Sequence, residues 1–209
     1  DTARGSFEHL AGLIEATPSL SRHVETILEG KHDERIVLRG DRVFQFGTRT
    51  GRAGRGRSFG KHVWDEYLYV TSTHEGTLMP TMSTFPDAQR IGASTAGIQS
   101  SDRARSLRDR GRRGDRTKDP RLLYVEFADD LPGDCERGVD CTHLYGTPGC
   151  KYDDEDRWFR ANPALGVRIT LDYVRNERRA LSPDEFGRER LGYWDDPAET
   201  VAHAIASAD

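Results

Sequence analysis

The sequence predicts an α/β fold, a sheet flanked by helices and followed by a small helical segment. Three observations carry the prediction. Short β-rich runs alternate with stretches of helical periodicity through residues 1–128, the pattern of strands joined by helices. Residues 154–209 read as helical, with cap residues at the breaks. A chain of 209 residues, 35% apolar and 32% charged, is long enough for one cored domain with an appendage, although it is very polar.

Taken in order, residues 2–15 place Phe7, Leu10, Leu13 and Ile14 at helical spacing. Thr17-Pro18 then supplies a cap with proline at the first helical position, which predicts a second helix over 18–29. Ile36-Val37-Leu38 and Val43-Phe44-Gln45-Phe46 flank Arg39-Gly40-Asp41-Arg42, the composition of a tight hairpin. Gly51, Gly54, Gly56 and Gly60 alternate with arginines and predict a loop that can approach a ligand closely. A short strand at His62-Val63-Trp64 ends at Asp65-Glu66, and Thr77-Leu78-Met79-Pro80 connects it to another strand over 89–94. Residues 101–111 read as a helix, Leu122-Leu123-Tyr124-Val125-Glu126-Phe127 as a buried strand, and 129–153 as an irregular insertion. Helices follow over 154–161, 170–181 and 182–191, the last with Ser182 as cap, Pro183 at the first position and Glu185 completing a capping box. The sequence shows no internal repeat.

No stretch approaches the roughly 18 to 20 apolar residues that cross a bilayer, and residues 1–7 lack a signal peptide's basic start and apolar run. Three cysteines, an odd number without an export signal, argue against a disulfide framework and for reduced thiols or metal ligands in a cytosolic compartment. The net charge of −4 hides a segregation. Arg49, Arg52, Arg55, Arg57 and Lys61 form one basic block, and 103–118 holds eight Lys or Arg against Asp109 and Asp115. Residues 126–156 reverse the balance, with ten acids against Arg137 and Lys151. A basic loop and a basic helix can hold phosphate, whether of a nucleotide or of a nucleic acid backbone. The same blocks also suit a solvated surface.

Two groups of residues carry chemistry. Asp65-Glu66 closes a strand, where an Asp can hold Mg²⁺ and a neighbouring Glu can orient and deprotonate a water that attacks a γ-phosphate. Ser94-Thr95-Ala96-Gly97 closes the next strand with small hydroxyl residues, able to sense that phosphate and relay its loss; an ordinary turn is the alternative. The second group is Cys135-x5-Cys141-x-His143-x6-Cys150, which uses every cysteine in the chain. Three Cys and one His in a glycine-rich loop can surround tetrahedral Zn²⁺, structural because four protein ligands leave no open position. The spacing is not a standard finger spacing, and three reduced thiols in an acidic loop are the alternative.

The ordered set of motifs resembles the large terminase subunit of tailed bacteriophages. It comprises Asp1-Thr2-Ala3-Arg4 with Phe7, Thr17-Pro18-x-Leu20, the Gly-Arg loop leading to Trp64-Asp65-Glu66, Leu78-Met79-Pro80-Thr81 and Ser94-Thr95-Ala96-Gly97. Downstream, Trp158-x-x-Ala161-Asn162-Pro163-Ala164-Leu165-Gly166, Glu177-Arg178-Arg179 and Phe186-x-x-Glu189-Arg190-Leu191-Gly192-x-Trp194 look like the segment after the ATPase core in terminases of actinobacterial phages.

The resemblance implies a partial P-loop NTPase-like sheet in a motor that hydrolyses ATP to move viral double-stranded DNA into a procapsid. Asp65 takes the Mg²⁺-linked Walker B position, Glu66 the catalytic carboxylate, Ser94, Thr95, Ala96 and Gly97 the coupling motif. Arg55 is placed as a finger reaching a neighbouring site in a ring of copies, with Arg52 and Arg57 as alternatives. The implied partners are DNA, portal, procapsid and small terminase subunit in the host cytoplasm, with no membrane. The implied division is 1–128 as the later part of the ATPase core, 129–153 as the Cys/His insertion and 154–209 as a helical segment leading toward a nuclease domain.

Two departures qualify the resemblance. The phosphate-loop pattern G-x-x-x-x-G-K-[ST] does not occur in the 209 residues, since Gly30-Lys31 and Gly60-Lys61 are each followed by His. The acidic cluster of a nuclease is not found either, so the chain is expected to be an internal piece of a terminase or a relic of one. Gly60, Lys61 and His62 also weaken the strand before Asp65. The competing expectations are a non-enzymatic zinc-containing DNA-binding module, against which the acids around the cysteines argue, and a fragment of a helicase-type ATPase.

Overall fold

The computed structural model describes residues 2–30, 33–48, 58–129 and 143–195. The chain divides into two units, one of 1–60 with 73–88 and one of 61–72 with 89–209.

In the first unit, helix α1 (Thr2–Glu15) buries Phe7, Ala11 and Ile14 at helical spacing, while Leu13, expected on the same face, lies exposed. These residues cover a three-stranded antiparallel sheet of β1 (Val24–Gly30), β2 (Asp33–Leu38) and β3 (Arg42–Gln45), in that order. Ile36 of β2 is fully buried beneath Phe7 and Ile14, and the ring of Phe46 meets Phe7 edge-on at 5.4 Å. Burial of Phe7 and of Ile36 contributes about 1.5–3 kcal/mol each. Gly40 and Asp41 both have positive φ, 80° and 58°, as a tight turn between β2 and β3 requires.

The helix expected over 18–29 stops after one turn, α2 (Pro18–Ser21), and the rest of that stretch is β1. Val24, Thr26 and Ile27 are β-branched, and Val24 and Ile27 reach the α1 core only from a strand paired with β2. Tertiary pairing therefore overrides the helical preference of Glu25, Leu28 and Glu29.

The second unit holds β4 (Lys61–Trp64) and β5 (Gln89–Gly92), paired in parallel from Lys61↔Gln89 to Trp64↔Gly92. One face of β4 buries His62 and Trp64, with Leu68 and Val70 buried just beyond the strand; the opposite face presents Val63 and Ile91. Helix α3 (Ser72–Leu78) begins at the junction between the units. Helix α4 (Asp102–Arg113) closes on Gly114, whose φ of 61° makes the left-handed cap.

Residues 122–127 are extended but pair with no strand among the described residues, contrary to the expected buried strand. Tyr124 packs on Gly111 and Glu126 takes two hydrogen bonds from Arg112 at 2.8 Å, so one face rests on α4. Leu123, Val125 and Phe127 alternate with them and are 78%, 65% and 63% exposed.

The helical segment follows the sequence closely. Helix α5 (Glu155–Ala161) is capped by Asp154, α6 (Leu171–Ala180) by Thr170, and α7 (Pro183–Phe186) by the reciprocal Ser182 and Glu185 box. A wider turn over Gly187–Leu191 continues α7 and ends at Gly192. Trp158, Val174, Phe186 and Leu191 are fully buried in the core of this segment, and the Trp158 indole meets Phe186 edge-on at 5.4 Å. The architecture is thus α/β, small sheets flanked by helices with a helical segment after them.

Candidate functional site

Because β4 and β5 run parallel, their carboxyl ends open on the same side, the edge at which α/β sheets receive ligands. Asp65 and Glu66 leave β4 there, and Ala93 and Ser94 leave β5. Three hydrogen bonds stitch the two ends together. Ala93 N–H donates to the Trp64 carbonyl at 2.9 Å, Tyr67 N–H to the Ala93 carbonyl at 2.9 Å, and Leu68 N–H to the Ser94 hydroxyl at 2.9 Å. Tyr67 also packs over Gly92, where a Cβ would stand 3.0 Å from its ring.

The backbone of Glu66 is left-handed, φ 50° and ψ 56°, a conformation that costs a non-glycine residue about 1–2 kcal/mol. It turns the chain abruptly from β4 into the short helical turn Tyr67–Tyr69. Asp65 is exposed, Glu66 half-buried, and the Asp65 carboxylate accepts the Glu66 N–H at 3.0 Å. Carboxylate and hydroxyl oxygens are the ligand types that a hard divalent cation such as Mg²⁺ takes, and Asp65, Glu66 and Ser94 bring those types to neighbouring strand ends. Ser94 and Thr95 are exposed, whereas Ala96 and Gly97 are buried, so this turn runs from the strand end into the interior.

Arg55, Arg52 and Arg57 lie outside the described residues. The second basic block is divided, with Arg103, Arg113, Arg116 and Lys118 exposed and four arginines turned to partners in the chain. Arg105 donates to the Asp195 carbonyl at 2.7 Å, Arg108 stacks on Trp194, Arg110 pairs with Asp119 and Arg112 with Glu126. Four arginines of α4 are thereby committed to partners within the chain.

Of the four Cys/His residues, Cys135 and Cys141 lie outside the described residues. His143 and Cys150 are brought to one group, the buried guanidinium of Arg178, which donates to the His143 carbonyl at 2.9 Å and to Cys150 Sγ at 3.7 Å. Arg178 also pairs with Asp153 at 2.8 Å. Among the described residues, no three His, Cys, Asp or Glu side chains are placed to hold a metal ion.

Two arrangements had no signal in the sequence. The buried carboxylate of Asp129 accepts hydrogen bonds from Tyr193 Oη and Arg157, each at 2.7 Å, and from Arg160 at 3.3 Å. Burial works to raise its pKa, but these hydrogen bonds outweigh burial and hold the carboxyl below the usual range. Burial, and then the bond to Asp129, push the Tyr193 phenol up. The other arrangement joins Gly97 to Trp194: an added Cβ on Gly97 would stand 2.3 Å from the indole. Both residues stand in the motifs read from the sequence, but their contact spans nearly half the chain.

Among the described residues, no helix is long and apolar enough to cross a membrane. The sequence matches no family model and no curated protein. Comparison with solved structures finds the crystal structure of the HK97 bacteriophage large terminase, with a TM-score of 0.67 and 16% sequence identity over 92% of this chain. The match takes in 37% of that protein's length. At this identity the likeness is one of fold, and the α/β core and helical segment described here share the fold of that part of the HK97 large terminase.

Proposed function

We propose that this chain is the ATPase-side portion of a phage DNA-packaging terminase, of the actinobacterial type, working on viral double-stranded DNA with portal, procapsid and small subunit. The observation that carries the reading is the meeting of Asp65, Glu66 and Ser94 at the carboxyl ends of β4 and β5, within a terminase-like fold. Asp65 would hold Mg²⁺, which when bound neutralises phosphate charge. Glu66 accepts the proton of the attacking water. Ser94 and Thr95 sense the phosphate, while Ala96 and Gly97 carry the turn inward. Arg55 serves a neighbouring copy in a ring. The 129–153 insertion holds structural Zn²⁺ through Cys135, Cys141, His143 and Cys150. The paired arginines of α4 weigh against a reading in which that helix alone grips DNA.

The test compares this chain with a polypeptide that joins it to a phosphate-binding loop. The chain alone, with no G-x-x-x-x-G-K-[ST] cradle for the β- and γ-phosphates, should not turn over ATP. The loop-bearing polypeptide should hydrolyse ATP, and Glu66→Gln should lower kcat by about 10²-fold or more while nucleotide still binds. Turnover indifferent to Glu66→Gln refutes the assignment.

A further inference from the structure

The last described residues, 192–195, lie on the turn that leaves β5. Gly97 carbonyl accepts the Asp195 N–H at 3.1 Å. The Asp195 carbonyl accepts Arg105 at 2.7 Å, and the same guanidinium nitrogen reaches the Ile98 carbonyl at 3.4 Å. Arg188 pairs with the Asp195 carboxylate at 3.1 Å. The Trp194 indole covers Gly97 and faces the guanidinium of Arg108 at 4.5 Å and of Arg105 at 5.6 Å. Gly192, with φ 71°, makes the bend that permits this, and a Cβ on it would stand 2.7 Å from Ala128.

Gly97 meets the indole with backbone alone, so a side chain at that position would displace the ring, and Arg108 and Arg105 hold the ring from beside it. At its far end the same turn is fastened through Ser94, whose hydroxyl holds the Leu68 N–H beside Asp65-Glu66. Four residues therefore span from the strand-end carboxylates to the segment through which the chain continues past Asp195.

We propose that Trp194 and Asp195 are positioning residues for the 94–97 turn, so that movement of the turn and release of the 192–195 segment are a single event. The idea deepens the reading of the strand ends as an ATPase site and rests on it for what moves the turn. On that reading, loss of the γ-phosphate at Ser94 reaches the following segment through Gly97 and Trp194.

The link itself is tested without nucleotide, so its failure and the failure of the ATPase reading are distinguishable. The chain is labelled with 5-fluorotryptophan, and the signals of Trp64, Trp158 and Trp194 are assigned by single Trp→Phe variants. Ser94→Ala and Gly97→Ala should each shift the Trp194 resonance and leave that of Trp158 in place. In the opposite direction, Trp194→Ala should speed amide exchange at Leu68 about tenfold while Val174 and Phe186 keep their protection. Trp194→Phe, which restores a ring over Gly97, should recover most of the Leu68 protection. Because Gly97→Ala touches the indole directly, Ser94→Ala carries the test, and an unmoved Trp194 signal in Ser94→Ala overturns the proposal. Unchanged exchange at Leu68, or equal loosening of Val174, overturns it as well, since Trp194 would then be ordinary packing.

Discussion

The Ser94 hydroxyl accepts the Leu68 N–H at 2.9 Å, so the turn that follows Asp65-Glu66 hangs on a side chain of the neighbouring strand end. Leu68 is buried but Ser94 is exposed, so the bond is partly buried. Ser94→Ala should therefore cost about 0.5–1.5 kcal/mol, the net worth of such a hydrogen bond. Thr95→Ala, at a position likewise exposed but without that bond to Leu68, should cost less, within about 0.5 kcal/mol. Urea denaturation of the two variants checks the difference, and equal costs would mean that the Ser94 bond does not persist in solution.

Asp129 makes acid stability a second test. Its carboxyl is held below the usual range in the folded chain, so its contribution is complete above the ordinary carboxylate pKa of about 3.9 and is lost as pH falls through the lower folded value. Asp129→Asn should destabilise the chain at neutral pH by about 1.5–3 kcal/mol, because Tyr193 and Arg157 lose a charged acceptor. The variant should also show a shallower loss of stability below about pH 4 than the parent. Thermal melts across pH measure both, and parallel acid limbs would remove Asp129 from the account.

What the sequence revealed was what is local. Ser182 and Glu185 announce their capping box within four residues, and Asp65-Glu66 announces a strand end because two adjacent charges would put one of them on the face that buries His62 and Trp64. Long-range pairing was not visible. The stretch from Glu25 to Glu29 has helix-forming residues, and only the presence of β2 alongside makes it a strand. The run 122–127 looks buried because five of its six residues are apolar or aromatic and they fall on both faces, yet it is the Tyr124 face that rests on α4. Composition shows the charge of the α4 arginines and hides the Asp119, Glu126 and Trp194 partners that Arg110, Arg112 and Arg108 meet. Asp129 and Arg157 likewise appear in sequence as two charges among many.

The Cys/His insertion is tested by metal content. We expect one equivalent of Zn²⁺ per chain, held by Cys135, Cys141, His143 and Cys150, with Arg178 fastening the last two to the helical core. Cys141→Ser should lower both the zinc content and the protection of 130–142 from protease, since metal binding and loop folding are one process. Substoichiometric zinc with unchanged proteolysis would favour reduced thiols, with Cys150 serving only as a buried core residue.

The strain at Glu66 sets stability against function at one position. A glutamate at φ 50° costs about 1–2 kcal/mol, which glycine would not incur, although glycine returns part of that gain through its greater freedom in the unfolded chain. Glu66→Gly should therefore stabilise the chain, by about 0.5–1 kcal/mol. Glu66→Asn, a residue tolerated in left-handed backbone, should fall between glycine and the parent. Glu66→Ala should gain nothing, because alanine meets the same Cβ clash. In the loop-bearing polypeptide all three should lose hydrolysis together, for want of the carboxylate. That pattern, a graded gain in stability with a uniform loss of activity, would identify Glu66 as a residue kept in an unfavourable conformation for its chemistry. If glycine instead destabilised the chain, the left-handed turn would be held by contacts of the Glu66 side chain, and the case for a strained catalytic position would fail.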